Sequence, residues 1–125
     1  MGRAICELFA AEGARVVVNY SASREAAEEV AAGIRANGGE AVAVRANVAV
    51  DAEARALIEG AVERWGRLDV LVNNAGWSKV TPHAKLDELT DEIWDRTLNV
   101  NLRGAFYCMR AAAPHLKQQQ GAIVN

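Results

Sequence analysis

The residues of this chain with the most chemical content lie behind an apolar run. Leu68 to Asn73 reads as a buried strand, and its end runs directly into Asn73-Asn74-Ala75-Gly76. In a parallel α/β sheet, ligands bind outside the carboxyl ends of the strands, so residues placed there are candidates for contacting one. A plain strand-ending turn is the alternative, because asparagine-rich turns are common. Gly2 precedes the first helical pattern, where a glycine lets backbone N–H groups at a helix N-terminus approach a phosphate. Close packing of helix on strand accounts for Gly2 equally well. Asn101 falls inside a helical pattern, where its side chain competes for backbone hydrogen bonds and carries a local cost.

Other chemistries find little support. His83 and His115 have no companions at metal-ligand spacing, and no metal site is expected. Cys6 and Cys108 are too few for a disulfide framework or a CxxC motif, and both read as small core residues. Trp65, Trp77 and Trp94 form no stacking array, and a net charge of −2 with interleaved signs offers no basic face, so nucleic acid and anionic membrane are excluded as partners. No apolar run approaches the roughly 20 residues of a membrane span. Met1-Gly2-Arg3 has none of the parts of a secretory signal, so a cytoplasmic location is expected.

Periodicity supplies the elements that must position these residues. Ile5, Leu8 and Phe9 mark a helix ending at Gly13, and Arg15 to Tyr20 a strand buried on both faces. A helix capped by Ser23 carries Ala27, Val30 and Ile34 on one face and stops at Gly38-Gly39; Ala41 to Ala46 is a second strand. Asp51 is expected to cap a third helix that runs through Leu57, Ile58, Ala61 and Trp65 to Gly66. After the strand at Leu68 comes an irregular stretch containing Pro82, then a long helix capped by Thr90 and reaching Lys117, then a strand from Gly121. At 125 residues, 51% of them hydrophobic, the chain has room for a single domain. Helices alternating with strands over short connections mean a parallel α/β sheet covered on both faces.

Two motifs stand out against such a sheet, one directly behind the strand at Leu68 and one within the helix over 90–117. Asn73-Asn74-Ala75-Gly76 behind its apolar strand resembles the NNAG hallmark of classical short-chain dehydrogenases/reductases (SDRs), and Asn99-Val100-Asn101-Leu102-Arg103-Gly104-Ala105-Phe106 resembles their VNLxGxF helix. Gly2-Arg3-Ala4-Ile5 is similar to the last glycine of the family's TGxxxGxG turn and the helix behind it, so the resemblance spans residues 1–125. It implies a single NAD(P)-binding Rossmann-type domain with a doubly wound parallel sheet. Methyltransferase or flavodoxin-like domains share the alternation but not these two motifs.

The resemblance also implies roles. Gly2 would approach the cofactor pyrophosphate. Asn73, Ala75 and Gly76 would line the adenosine ribose and the approach to the nicotinamide, with Asn73 also bridging neighbouring strands. Asn47 stands where the family usually has an aspartate for the adenine amino group, and it can still accept through its side-chain oxygen, with Val48 packing on the ring. Asn101 matches the asparagine whose main-chain carbonyl holds a relay water for the catalytic lysine. Asn19-Tyr20-Ser21 ends the strand that selects the cofactor and carries no carboxylate to repel a 2′-phosphate. With Arg24 nearby, NADP(H) is the expected cofactor and NAD(H) the alternative, although Arg24 in a solvated pair with Glu28 explains that residue too. Trp77 and Lys79, just past the motif, are placed to meet a substrate.

Relative to the family, the first strand, the earlier glycines and the catalytic Ser and YxxxK are absent: Tyr20 is followed four residues on by Arg24, and Tyr107 by Ala111. The expectation is therefore an incomplete domain, part of an oxidoreductase that moves hydride between NAD(P)(H) and a small-molecule alcohol or ketone, and inactive alone. A non-catalytic dinucleotide-binding or dimerisation module is the alternative. The helix over 90–117 matches the element through which the family dimerises, so a homo-oligomer is expected. In a strand order of 3-2-1-4-5 the absent strand is the central one, which predicts a gap of about 10 Å between the strands at Arg15 and Leu68.

Overall fold

The computed structural model describes all residues from 1 to 125. Helices and strands alternate as α1 (Gly2–Ala11), β1 (Val16–Tyr20), α2 (Arg24–Ala36), β2 (Ala41–Arg45), α3 (Asp51–Trp65), β3 (Val70–Val72), α4 (Asp91–Leu98), α5 (Ala105–Gln119) and β4 (Ala122–Val124). The β-branched run Val16-Val17-Val18 gives a strand, as expected. Gly66 takes φ +74° at the end of α3, a left-handed cap that lets its N–H donate to the Val62 carbonyl at 2.6 Å.

β1 and β2 run parallel, from Val16 opposite Ala41 to Tyr20 opposite Arg45, and β3 and β4 run parallel from Val70 opposite Ala122. They do not form one sheet. The strands make two separate two-stranded sheets, and an open cleft of about 1810 Å³ is lined by β1 and β3 but not by β2 or β4. The gap expected beside the strand at Leu68 is therefore present, and the two halves do not slide together to close it.

Each half keeps its own small core. Val18, Ala27, Val30, Ala31, Ile34 and Ala41 pack one, with Cys6 and Ala10 of α1 against it; Ala54, Ile58, Leu71, Cys108, Ala112 and Leu116 pack the other. Only 15 of 125 residues are buried and no large side chain is fully enclosed. The chain exposes 8210 Å², against about 6500 Å² for a compact monomer of its mass.

Four local expectations need correction. The helix over 90–117 is a helical run from Asp91 to Gln119 that widens into a π-helical turn at Asn99–Gly104. Asp51 does not cap α3: Val50 holds the cap position, and the Asp51 carboxylate accepts instead from Arg55 at 3.0 Å and Arg110 at 2.6 Å, tying α3 to α5. Ser23 and Thr90 occupy cap positions but make no side-chain capping bond. The stretch after Gly76 contains a 3₁₀ turn at His83–Glu88. Cys108 is buried and Cys6 half-buried. No helix is long and apolar enough to cross a membrane, and no cluster of His, Cys, Asp or Glu is placed to hold a metal ion.

Candidate functional site

The residues that follow β1, β2 and β3 all border the cleft. Gly2, Asn47, Val48, Asn73, Ala75, Gly76 and Asn101 all line it, together with Ser21, Asn74 and Trp77.

The start of α1 meets the turn after β3. A Cβ built on Gly2 would lie 2.8 Å from Asn74 Nδ2, so any side chain at position 2 must displace the Asn74 amide. Asn73 connects two strands: its backbone N–H donates to the Val124 carbonyl at 2.8 Å and its Nδ2 to Asn125 Oδ1 at 2.8 Å. Ala75 is exposed. At Gly76 an added Cβ would meet Asn101 Oδ1 at 3.6 Å and the Asn74 carbonyl oxygen at 4.0 Å, ordinary contact distances, so packing within the chain leaves room there for a side chain.

After β2, Asn47 forms a tight turn. Its Oδ1 accepts from the Ala49 N–H at 3.1 Å and its own N–H donates to Glu53 Oε2 at 2.7 Å. One lone pair on Oδ1 is already taken, which leaves one for a ligand donor. Val48 is fixed from below by Gly104: a Cβ there would sit 2.8 Å from Val48 Cγ2 and 3.2 Å from its carbonyl oxygen. Gly104 therefore seats the π-helical turn on the loop after β2. No role was assigned to Gly104 from the sequence, yet a glycine in a helix interior costs about 1 kcal/mol, and that cost was the signal of a close approach.

Asn101 uses its side chain rather than leaving it to solvent. Oδ1 accepts from the Trp77 N–H at 2.8 Å and Nδ2 donates to the Trp77 carbonyl at 2.9 Å. This pair joins the π-helical turn to the segment that follows Asn73-Asn74-Ala75-Gly76. The Arg96 guanidinium lies over the Trp77 ring, 4.2 Å from its centre, and fixes the indole at the cleft mouth. Lys79 lies away from it, beside a hollow of about 170 Å³ shared with Ser78 and Trp94.

At the end of β1, Asn19 Nδ2 donates to the carbonyls of Val44 at 3.2 Å and Ala46 at 3.0 Å, so this side chain ties β1 to β2. Tyr20, Ser21, Ala22 and Ser23 line the mouth and contribute no carboxylate. Arg24 is exposed, lies outside the lining, and makes neither the Glu28 pair nor any other ion pair. The acids that line the cleft are Asp69, Glu92 and Asp95. Hydrogen bonds from the Thr90 hydroxyl and the Glu92 backbone hold the Glu92 carboxyl below its ordinary value. Burial pushes the thiols of Cys6 and Cys108 up, the direction opposite to that of an activated nucleophile.

A side-chain-free helix start, a half-satisfied amide oxygen and a turn held from behind by Asn101 are what a dinucleotide requires of backbone and small polar groups, and the residues present fit one. The chain belongs to the short-chain dehydrogenase family: residues 1–125 match it throughout. Among curated relatives, it is 43% identical to the 3-oxoacyl-(acyl-carrier-protein) reductase FabG of Staphylococcus aureus and 44% identical to the 3-oxoacyl-(acyl-carrier-protein) reductase of Synechocystis, over 100% of this chain and 50% of each relative. It thus spans about half the length of the curated relatives it matches. A short-chain dehydrogenase from Mycobacterium avium superposes with a TM-score of 0.87 at 41% identity, covering 99% of this chain and 47% of that one. One from Burkholderia cenocepacia, solved in complex with NADP, superposes with a TM-score of 0.84 at 42% identity, over 90% of this chain and 45% of that one.

Proposed function

We propose that residues 1–125 are the dinucleotide-binding part of an NAD(P)(H)-dependent oxidoreductase that interconverts a hydroxyl and a carbonyl on a small molecule. The observation that carries this reading is that the α1 start, the Asn47-Val48 loop and the Asn73–Gly76 turn line one cleft, with Gly2 set against Asn74. The nicotinamide, when bound, supplies or accepts the hydride. Gly2 gives the pyrophosphate access to backbone N–H groups at the α1 start. Asn47 accepts from the adenine amino group through its remaining lone pair, with Val48, seated on Gly104, against the ring. Asn73, Ala75 and Gly76 border the ribose and the nicotinamide, and Asn101 holds that border in place through Trp77.

NADP(H) is the preferred cofactor in this proposal, because no carboxylate among residues 19–23 repels a 2′-phosphate; the NADP complex of the Burkholderia cenocepacia relative supports the same choice. Fluorescence titration with NADPH and NADH tests it. Binding is expected to favour NADPH and to tighten when a glycine-rich turn is joined ahead of Gly2. Failure of both forms to bind either nucleotide would overturn it.

We further propose self-association through the α4–α5 run. Trp94, Leu98, Leu102 and Phe106 recur every fourth residue and stand about half exposed or more, at 54%, 47%, 64% and 50%, an apolar stripe of the kind that marks an interface. The same stripe suits a non-catalytic dimerisation module. Turnover of alcohols or ketones by a longer form carrying these residues separates the two readings.

A further inference from the structure

The connection between α2 and β2 carries a chemistry unrelated to the cleft. Asn37 caps the end of α2 and Gly38 follows it, both exposed. Asn37 is the one asparagine in the sequence with glycine behind it; Asn19, Asn47, Asn73, Asn74, Asn99 and Asn101 each precede a residue whose Cβ crowds its backbone nitrogen. Gly38 has no such shield. It takes φ +84°, and a Cβ built there would find nothing within 4 Å, so the space around the residue is open. What restrains the pair is hydrogen bonding at the helix end. Asn37 Nδ2 donates to the Gly33 carbonyl at 3.0 Å, which turns the side-chain amide back along α2, and the Gly38 N–H donates to the Arg35 carbonyl at 3.0 Å. Both bonds belong to the last turn of a helix, where local opening is easiest.

We propose that Asn37 is a site of covalent self-modification, reached when the last turn of α2 opens. The Gly38 nitrogen gives its proton to hydroxide and attacks Asn37 Cγ. A C–N bond forms, the Cγ–Nδ2 bond breaks, and ammonia leaves with a proton taken from water, which closes a five-membered succinimide and restores the hydroxide. Water then adds to one of the two ring carbonyls and opens the ring, leaving aspartate or, with the main chain rerouted through Cγ, isoaspartate. Nothing is oxidised or reduced. The product does not fit the turn that its parent held. A carboxylate at position 37 donates nothing to the Gly33 carbonyl, and it stands among the last carbonyls of α2, at the negative end of the helix dipole. Arg35, the cation of that last turn, is already spent on the Ala41 carbonyl at 2.8 Å. Isoaspartate also adds a backbone methylene to a tightly held connection. Gly39 packs on Ile34, where a Cβ would lie 2.8 Å from Ile34 Cγ2, and its N–H donates to the Ile34 carbonyl at 3.0 Å. One residue on, the Glu40 carbonyl accepts from Val16 N–H at 2.9 Å, where the pairing of β1 with β2 begins. Ile34 belongs to the core of this half, so the modification loosens the end of α2 and the entry to β2 together.

The test incubates the 125-residue chain in mildly alkaline buffer and follows it by tryptic mass spectrometry. Cleavage after Arg35 and Arg45 releases residues 36–45, in which Asn37 is the one asparagine. This fragment is expected to become heavier by the difference between an amide and an acid, to split into two products on chromatography, and to do so ahead of every other asparagine-containing fragment. With two ordinary hydrogen bonds to break first, modification is expected to run about 5–30-fold slower in the folded chain than in the same fragment made synthetically. Asn37→Gln, whose ring would be six-membered, is expected to stay unmodified. Asn37→Asp, which carries the charge of the product, is expected to quicken amide exchange at Gly38 and Gly39 by about tenfold. An unmodified Asn37 while other asparagines convert, equal rates in the chain and the synthetic fragment, or unchanged exchange in Asn37→Asp would overturn the proposal. Each readout is independent of nicotinamide binding.

Discussion

Replacing Asn101 with alanine removes two hydrogen bonds at once, the 2.8 Å bond from the Trp77 N–H and the 2.9 Å bond to the Trp77 carbonyl. A net contribution of about 0.5–1.5 kcal/mol each, taken toward its lower end because both groups are solvent-exposed, gives about 1–2 kcal/mol for the pair. Neither residue belongs to either core cluster, so the loss falls on local opening of the 73–77 segment and much less on global unfolding. Amide exchange at Trp77 should therefore quicken by about 5–30-fold. Asn101→Asp keeps an acceptor for the Trp77 N–H and loses only the donor to its carbonyl, so its acceleration should be smaller. The Arg96 contact with the ring, 4.2 Å from its centre, is untouched and should keep the indole in place in both variants. Unchanged exchange at Trp77 in Asn101→Ala, or equal acceleration in the two variants, would refute this account of how the turn is held.

Gly104→Ala should destabilise the chain by about 1–3 kcal/mol in equilibrium urea unfolding, because its Cβ meets the Val48 backbone as well as its side chain; Gly76→Ala, with its nearest neighbour at 3.6 Å, should change stability little in the same assay. Loss of water contact works upward on the Asp51 carboxyl, but hydrogen bonds from Arg110 and Arg55 outweigh it and hold the group below its ordinary 3.8. A lowered folded-state value means stabilisation that is present above the unfolded value and lost as pH falls below about 4, so Asp51→Asn should flatten that part of the acid limb of stability against pH. Leu102→Lys with Phe106→Lys should shift sedimentation toward monomer while leaving the cores, which contain neither residue, intact.

Short-range periodicity was enough to read the elements. The continuous Val16–Val18 run gave β1, and the recurrence of Ala54, Ile58 and Ala61 gave the buried face of α3. The separation of β1 from β3 was legible too, because the family's strand order does not make them neighbours, and each half has a core of its own. Side-chain partnerships across long separations were not legible. Asp51 reads as a cap from its neighbours alone, but its second cation, Arg110, comes from 59 residues away. Asn101 and Trp77 lie 24 residues apart, and nothing in the spacing of either announces the reciprocal pair. The π-helical turn at Asn99–Gly104 likewise preserves a helical apolar pattern on both sides, so periodicity runs straight through it. Asn19 was read for cofactor choice, whereas its amide is spent on the carbonyls of Val44 in β2 and Ala46 just past it, a pairing visible only once the strands are in register.

The central claim is that the strand-end residues form one dinucleotide site, and residue-resolved amide shifts of the chain titrated with NADPH test it most directly. The account predicts concentration-dependent changes gathered at Gly2, Asn47, Val48, Asn73, Ala75 and Gly76, larger than those produced by NADH. Changes that spare these residues, or that spread without preference over the outer faces of α2 and α5, would contradict it.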